Sequence, residues 1–229
     1  MMQKKVQIIS DGSLDLSQEL TKEKDIEVVP FYVSFDSETY QKEMVEVGVR
    51  EFYQEMVDHP TVFPKTSMPS VHDYYEVFEK HAKEQLPVIC ICITRKFSGS
   101  LQSATTAKDM ILEEYPDAQI TVIDSTVNTV LQGLYVLEAC RLRDMGLEYQ
   151  QIVDALLPIR ETGRIFFTIG SIDYLKHGGR IGKLAGIAAS ALKIKPLITL
   201  KEGEIFASGI ARGRNRSLDK VRELLLQYL

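Results

Sequence analysis

Apolar residues recur along this chain with two alternating periods. VQIIS (6–10) has the short continuous apolar character of a strand, and DGSLDLSQEL (11–20) reads as the turn and helix that follow it. IEVVPFYVSF predicts a second strand, and VGVREFYQEMV a helix carrying Val49, Phe52, Tyr53 and Met56 on one face. SVHDYYEVFEKHAKEQ predicts another amphipathic helix, with Val71, Tyr75, Phe78 and Ala82 on its inner side. LPVICICIT is apolar throughout at strand length, which suits a central parallel strand buried on both faces. A helix from about Ser100 to Glu114 and the strand QITVID complete the series. Strands alternating with helices imply βαβ units and a mostly parallel sheet with flanking helices.

Two consecutive helices follow, TVLQGLYVLEACRLRDMG and EYQQIVDALLPIRETG, parted at Gly146. The pattern then changes. RIFFTIG reads as a strand, IDYLKHGGR as a turn-rich link, and IGKLAGIAASALKI as a helix of small residues. KPLITLKEGEIFASGIARG predicts a hairpin turning at Glu202-Gly203, and NRSLDKVRELLLQYL a final amphipathic helix. The expected organisation is an N-terminal α/β domain over 1–162 and a smaller α/β domain over 163–229.

Charge supports that division. Residues 1–162 hold 27 acidic against 15 basic side chains, whereas 163–229 hold 12 basic against 5 acidic. Oppositely charged faces solvate two layers and attract each other; alternatively the basic part meets a phosphate or an acidic partner. The overall charge of −5, with no interleaving of arginines and aromatics, argues against nucleic acid. No apolar run reaches the roughly 20 residues of a membrane span. The start MMQKKVQIIS runs straight into polar sequence, so no signal peptide is expected. Cys90, Cys92 and Cys140 show no CxxC or Cys/His ligand spacing, which fits a reduced cytoplasmic protein.

The candidate chemistry lies in loops. FPKTSMPS sets Thr66, Ser67 and Ser70 between prolines ahead of a helix, and TRKFSGSLQS does the same with Ser98, Gly99 and Ser100. In an open parallel sheet ligands bind beyond the carboxyl ends of the strands, where Asp11, Thr94 to Ser100 and Asp124 to Thr126 fall. Hydroxyls and free N–H groups at helix starts suit a carboxylate or phosphate, and equally serve as plain N-caps. Asp11 and Asp124 fit general bases or Mg²⁺ ligands, or else helix caps and loop braces. FSGS is not a nucleophile elbow, and no triad forms around Ser98. His59, His72, His81 and His177 are scattered on surfaces or helices without metal spacing. Neither a Walker loop nor a dinucleotide fingerprint is present, so no ATP, cofactor or metal site is expected. LKHGGRIG gathers Lys176, His177, Arg180 and Lys183 around two glycines, as a phosphate or partner contact or as a solvated turn. The small-residue helix after it is a core helix or the wall of a long apolar cavity.

Taken in order, IISDGSLDL, VVPFYVSF, PKTSMPS, SGSLQSA, VIDS, DYLKHGGRIG, KIKPLI and ARGRNRS resemble the DegV family over nearly the whole chain. Its best understood members are fatty-acid-binding subunits of bacterial fatty acid kinase. The resemblance implies a two-domain α/β fold with a long-chain fatty acid between the domains. Its carboxylate would be held at Thr66, Ser67 and Ser98, beside Gly99, with Arg180 tied to engagement of the kinase. The tail would occupy an apolar tunnel, contributing about 0.8 kcal/mol per buried CH₂. The protein would then be a carrier without catalytic residues, making at most transient membrane contact, and a separate kinase subunit would form the acyl-phosphate for phospholipid synthesis. Hydroxyl donors hold a carboxylate while leaving one oxygen free to attack; a buried lysine would hold it too tightly.

Three departures from the family pattern stand out. The chain ends inside the second domain, before the portion that carries a C-terminal histidine near the head group, and none of its four histidines takes that role. An incomplete chain, a cavity closed by a partner, or lost kinase coupling would each account for it. FSGS stands for the commoner LSGT, which keeps the hydroxyls, and DGS for DST, which costs one. Two further readings stay open: an enzyme for a small phosphorylated or carboxylated metabolite, using Asp11 and Asp124, and an interaction domain without a ligand cavity.

Overall fold

The computed structural model describes residues 6–184 and 194–229. The chain forms two compact units that divide between Thr162 and Gly163.

The first unit is built on a four-stranded parallel sheet in the order β2-β1-β6-β7. Its strands are β1 (Gln7–Asp11), β2 (Ile26–Val29), β6 (Val88–Cys92) and β7 (Ile120–Asp124). Around them run α1 (Gln18–Glu23), α3 (Val71–Lys83), α4 (Ser100–Glu114), α5 (Thr129–Asp144) and α6 (Tyr149–Ile159). Because successive strand residues face opposite sides, two cores form. Ile8, Ile89, Ile91 and Ile123 pack with Val136, Ala139, Ile152 and Leu156 of α5 and α6. Ile9, Cys90 and Cys92 pack with Tyr74 and Phe78 of α3 and Ala104, Ala107 and Ile111 of α4. Every residue of β6 is buried, as its unbroken apolar run predicts.

The stretch read as one strand, IEVVPFYVSF, is two. Pro30 has no N–H to give a ladder, so β2 stops at Val29 and the chain turns into β3 (Tyr32–Ser34) of another sheet. There β3 pairs antiparallel with β4 (Gln41–Lys42) and with β5 (Lys65–Ser67). Glu43 closes the break: its N–H bonds Phe31 O at 2.9 Å and its Oε1 accepts from Phe31 N at 3.0 Å. Helix α2 (Val49–Asp58) is strongly amphipathic, yet none of its residues is buried.

The inner face of α3 also differs from expectation. Tyr74 and Phe78 are fully buried and His81 and Ala82 nearly so, while Val71 and Tyr75 are only partly covered. The adjacent tyrosines make two overlapping stripes, and the one led by Tyr74 faces the sheet.

In the second unit β8 (Ile165–Thr168), β9 (Ile194–Lys201) and β10 (Glu204–Arg212) form an antiparallel sheet in the order β10-β9-β8. Glu202 and Gly203 have φ of 53° and 80°, the paired left-handed residues of a tight two-residue hairpin turn. Helix α8 (Arg214–Tyr228) follows. Helix α7 (Asp173–His177) ends in a Schellman motif, with Arg180 N bonded to Leu175 O, Gly179 N to Lys176 O, and Gly179 at φ 70°. Of the stretch IGKLAGIAASALKI expected as a helix, Gly182–Leu184 form a short 3-10 turn and Ile194 opens β9 instead, while 185–193 lie outside the described residues.

Candidate functional site

Parallel pairing puts the ends of β1, β6 and β7 on one edge of the sheet, so Asp11, Thr94 and Asp124 share that edge. Asp11 is fully buried there. Its Oδ2 accepts from Ser100 Oγ at 2.7 Å and Ile93 N at 2.9 Å, and its Oδ1 accepts from Gln132 Nε2 at 2.8 Å. Ser13 N donates as well. Burial holds this carboxyl above the usual carboxylate range, and the four donors offset part of the shift. Ser100 Oγ also lies 2.7 Å from Tyr74 Oη, and Gln132 Nε2 donates to Ser10 Oγ at 3.0 Å. A carboxylate so enclosed braces its surroundings; a general base for a bound substrate needs an open face, which Asp11 lacks. Asp124 accepts from Thr126 N at 2.9 Å and faces Arg95 at 3.7 Å, again as a loop brace. No cluster of three or more metal-ligating side chains occurs among the described residues.

The two hydroxyl turns meet. A Cβ on Gly99 would stand 2.4 Å from Met68 Sδ, so the Met68 side chain of the KTSMPS segment lies directly on the SGS turn. Ser98 Oγ accepts from Ser100 N at 3.2 Å as α4 begins. On the other segment the serines and threonine divide their tasks. Ser70 caps α3 in a capping box, accepting from Asp73 N at 3.1 Å and donating to Asp73 Oδ2 at 2.6 Å. Asp73 also takes Tyr32 Oη at 2.9 Å and Lys42 Nζ at 3.2 Å, which moors the loop to β3 and β4. Thr66 and Ser67 lie in β5 rather than in the open loop expected, and both are exposed. Ser67 Oγ makes only a 3.5 Å contact to Met68 O, and Thr66 makes no side-chain hydrogen bond among the described residues. Thr66 and Ser98 therefore hold uncommitted hydroxyl protons at neighbouring segments.

Beside Thr66 opens a cavity of about 680 Å³, walled on one part by Val33, Met44, Val47, Val49 and Phe52 and on another by the polar Asp15, Gln18 and Glu19. Glu43 lines it too, and its carboxyl occupies the space a side chain at residue 12 would need: a Cβ on Gly12 would meet Glu43 Oε1 at 1.8 Å. Glu43, Tyr74 and Gln132 are the residues sequence reasoning missed. Only Tyr74 left a signal, in the doubled tyrosines of α3.

Among the histidines, His81 is 3% exposed and bonds Glu27 Oε2 at 2.6 Å, whereas His59 and His72 pair with glutamates on open helix faces. Arg180 stands exposed after the α7 terminus in the second unit, with Nη1 on Gly178 O at 2.6 Å.

An open parallel sheet with paired hydroxyl turns at its carboxyl edge, and a second α/β unit behind it in sequence, defines a small-ligand-binding α/β class. The family model for the uncharacterised DegV proteins matches residues 5–228. This chain belongs to the DegV family. It is 32% identical to a DegV domain-containing protein of Clostridium perfringens over 98% of its own length and 78% of that protein's. Its fold matches a stearic acid-binding protein from Eubacterium ventriosum with TM-score 0.94 and 46% identity, over 98% of this chain and 76% of the other. A fatty-acid-binding DegV family protein from Thermus thermophilus matches with TM-score 0.85 and 30% identity, over 98% and 78%.

Proposed function

We propose that this protein binds a long-chain fatty acid, its carboxylate received by Thr66, Ser67 and Ser98 beside Gly99. The observation that carries this reading is the contact of Met68 with Gly99, which joins two hydroxyl-bearing segments into one surface. Thr66 and Ser98 have protons to give, and the first turn of the fifteen-residue α4 adds partial positive charge. The cavity beside Thr66, within the usual ligand range of about 300–1,000 Å³, offers apolar walls to a chain. α2 presents Val49 and Phe52 to that cavity without burying either, as an amphipathic helix does when its apolar face awaits a partner. The relatives that bind stearic acid and other fatty acids support the choice of ligand.

The protein acts as a carrier, not a catalyst. A separate kinase phosphorylates the presented carboxylate in the cytoplasm, and the basic second unit, Arg180 foremost, meets that partner. Hydroxyl donors suit the task because they hold the head group without neutralising the nucleophilic oxygen. No helix among the described residues is long and apolar enough to cross a membrane.

Mass spectrometry of an organic-solvent extract of the purified protein tests this. One equivalent of fatty acid is expected, with Thr66→Ala and Ser98→Ala each retaining less. A protein that comes empty and takes up no added stearic acid would overturn the reading.

A further inference from the structure

Ser98 can serve as a donor only if its oxygen is held in place and its proton is left free. Its oxygen rests on Ser100 N–H at 3.2 Å, and it makes no other side-chain hydrogen bond among the described residues. Ser100 is itself held from below. Resting on the fatty-acid reading above, we propose that Asp11 is the positioning residue that aims the Ser98 hydroxyl, acting through Ser100 without touching the ligand.

The direction of each proton follows from the chemistry of the groups. The N–H groups of Ile93, Ser13 and Gln132 that face Asp11 can only donate, so its oxygens serve as acceptors. Ser100 must therefore donate to Asp11 Oδ2 across 2.7 Å, and with its own proton spent it accepts from Tyr74 Oη, also at 2.7 Å. The chain Tyr74 → Ser100 → Asp11 runs one way and pins Ser100 between α3 and β1. Ile93 N on the same Oδ2 ties the carboxylate to the end of β6, and Gln132 Nε2 on Oδ1 ties it to α5. The start of α4, the end of β6 and α5 thus converge on the Asp11 side chain.

Gln132 supplies an independent sign that the carboxylate organises the cluster. Its Nε2 serves both Asp11 and Ser10, which leaves its Oε1 buried without any partner. A buried acceptor left unsatisfied costs free energy. Turned over, the amide would present an oxygen to Asp11 and lose both of these bonds. This also tells what Asp11→Asn does. The asparagine keeps an oxygen for Ile93 and Ser100 and offers Nδ2 to a turned Gln132, so Ser100 stays in place.

The experiment is a stearic acid binding titration on the wild type, Asp11→Asn, Asp11→Ala, Ser98→Ala and the Asp11→Ala/Ser98→Ala pair. Asp11→Ala is expected to weaken binding about tenfold, as loss of an oriented charge-assisted contact would. Asp11→Asn should bind within about twofold of wild type, and Asp11→Ala should cost no more than about twofold once Ser98 is already alanine. Equal losses from Asp11→Ala in both backgrounds, or an Asp11→Asn as weak as the alanine, would overturn the positioning role while leaving the clamp intact. If Ser98→Ala alone binds like wild type, the clamp reading itself fails and the positioning role with it. Should Asp11→Ala not fold, Ser100→Ala removes the held hydroxyl and takes its place in the same cycle.

Discussion

At the start of α4 nearly every buried polar group has a partner, and aromatic side chains close the space around them; under α2 the apolar side chains face a cavity. Tyr74 is fully buried with its hydroxyl on Ser100, whereas Tyr53 of α2 is 60% exposed. Tyr74 lies on α3, which is amphipathic as α2 is, so the contrast lies in what each face has met. The α4 region is held by its own hydrogen bonds, so the carboxylate site proposed there needs no ordering of the chain. The α2 region leaves its apolar face only partly covered. That contrast fits the proposed ligand, which is polar at one end and apolar for the rest of its length.

The sharpest way to break that comparison is to truncate one aromatic from each region. Tyr74→Ala removes a buried ring and the donor to Ser100, and is expected to cost about 3–5 kcal/mol of stability. Phe52→Ala is expected to cost the ligand-free protein less, about 1–2 kcal/mol, since its ring is only partly buried and packs chiefly on Phe35, at 5.1 Å between centroids. Urea unfolding of both variants measures the gap. With stearic acid present the order should tighten: Phe52→Ala should lose part of the ligand's stabilisation. Equal unfolding midpoints for the two ligand-free variants would show that α2 is as well packed as α4.

Gly12 sits where the two regions touch, one residue after Asp11 and on the wall of the cavity. Gly12→Ala drives a methyl into the Glu43 carboxyl, so Glu43 must swing away and Phe31 N–H loses its acceptor. A loss of about 1–3 kcal/mol is expected, the range for overpacking a fitted site. Adding Glu43→Ala should then cost little more, because the clash and the lost bond are the same event. Additive losses in the double variant would mean that the two residues do not share the space.

Much of the scaffold was legible because burial on both faces leaves a blunt signal. The five apolar residues of β6 and the left-handed pair Glu202-Gly203 allow few alternatives. What escaped depended on chain meeting chain. Pro30 sat inside an apolar run and was read through, although it ends β2. KTS has no alternation to mark it as β5; only its pairing with Tyr32–Ser34 makes it a strand. The hydroxyls of the site were visible as types, yet which were already spent was not. Ser70 is used as a cap and Ser100 is held by Asp11, while Thr66 keeps its proton, and that distinction lives entirely in tertiary contacts. Glu43 could not be foreseen as the occupant of the space above Gly12, since the two lie thirty-one positions apart with no shared pattern.

The smallest effect expected is one of pH, and it comes from the same carboxyl. Burial raises the Glu43 carboxyl above its ordinary range; the bond from Phe31 N–H opposes this, and the charges of Asp11 and Asp15 add to the rise. The folded protein then binds this proton more tightly than the unfolded chain does. Its contribution to stability is complete below the unfolded value of about 4.3 and is lost as pH rises through the folded one. Glu43→Gln keeps an oxygen for Phe31 N–H and has no charge to bury. Relative to wild type it should therefore gain stability as pH rises from about 4 to about 7, with the two proteins nearest to each other at the acid end. Asp11, also raised by burial, titrates in both proteins and largely cancels in the difference. Urea midpoints across that pH range decide the matter. A difference that stays constant with pH would show that the Glu43 carboxyl is well solvated, and that the wall between the two regions is open to water.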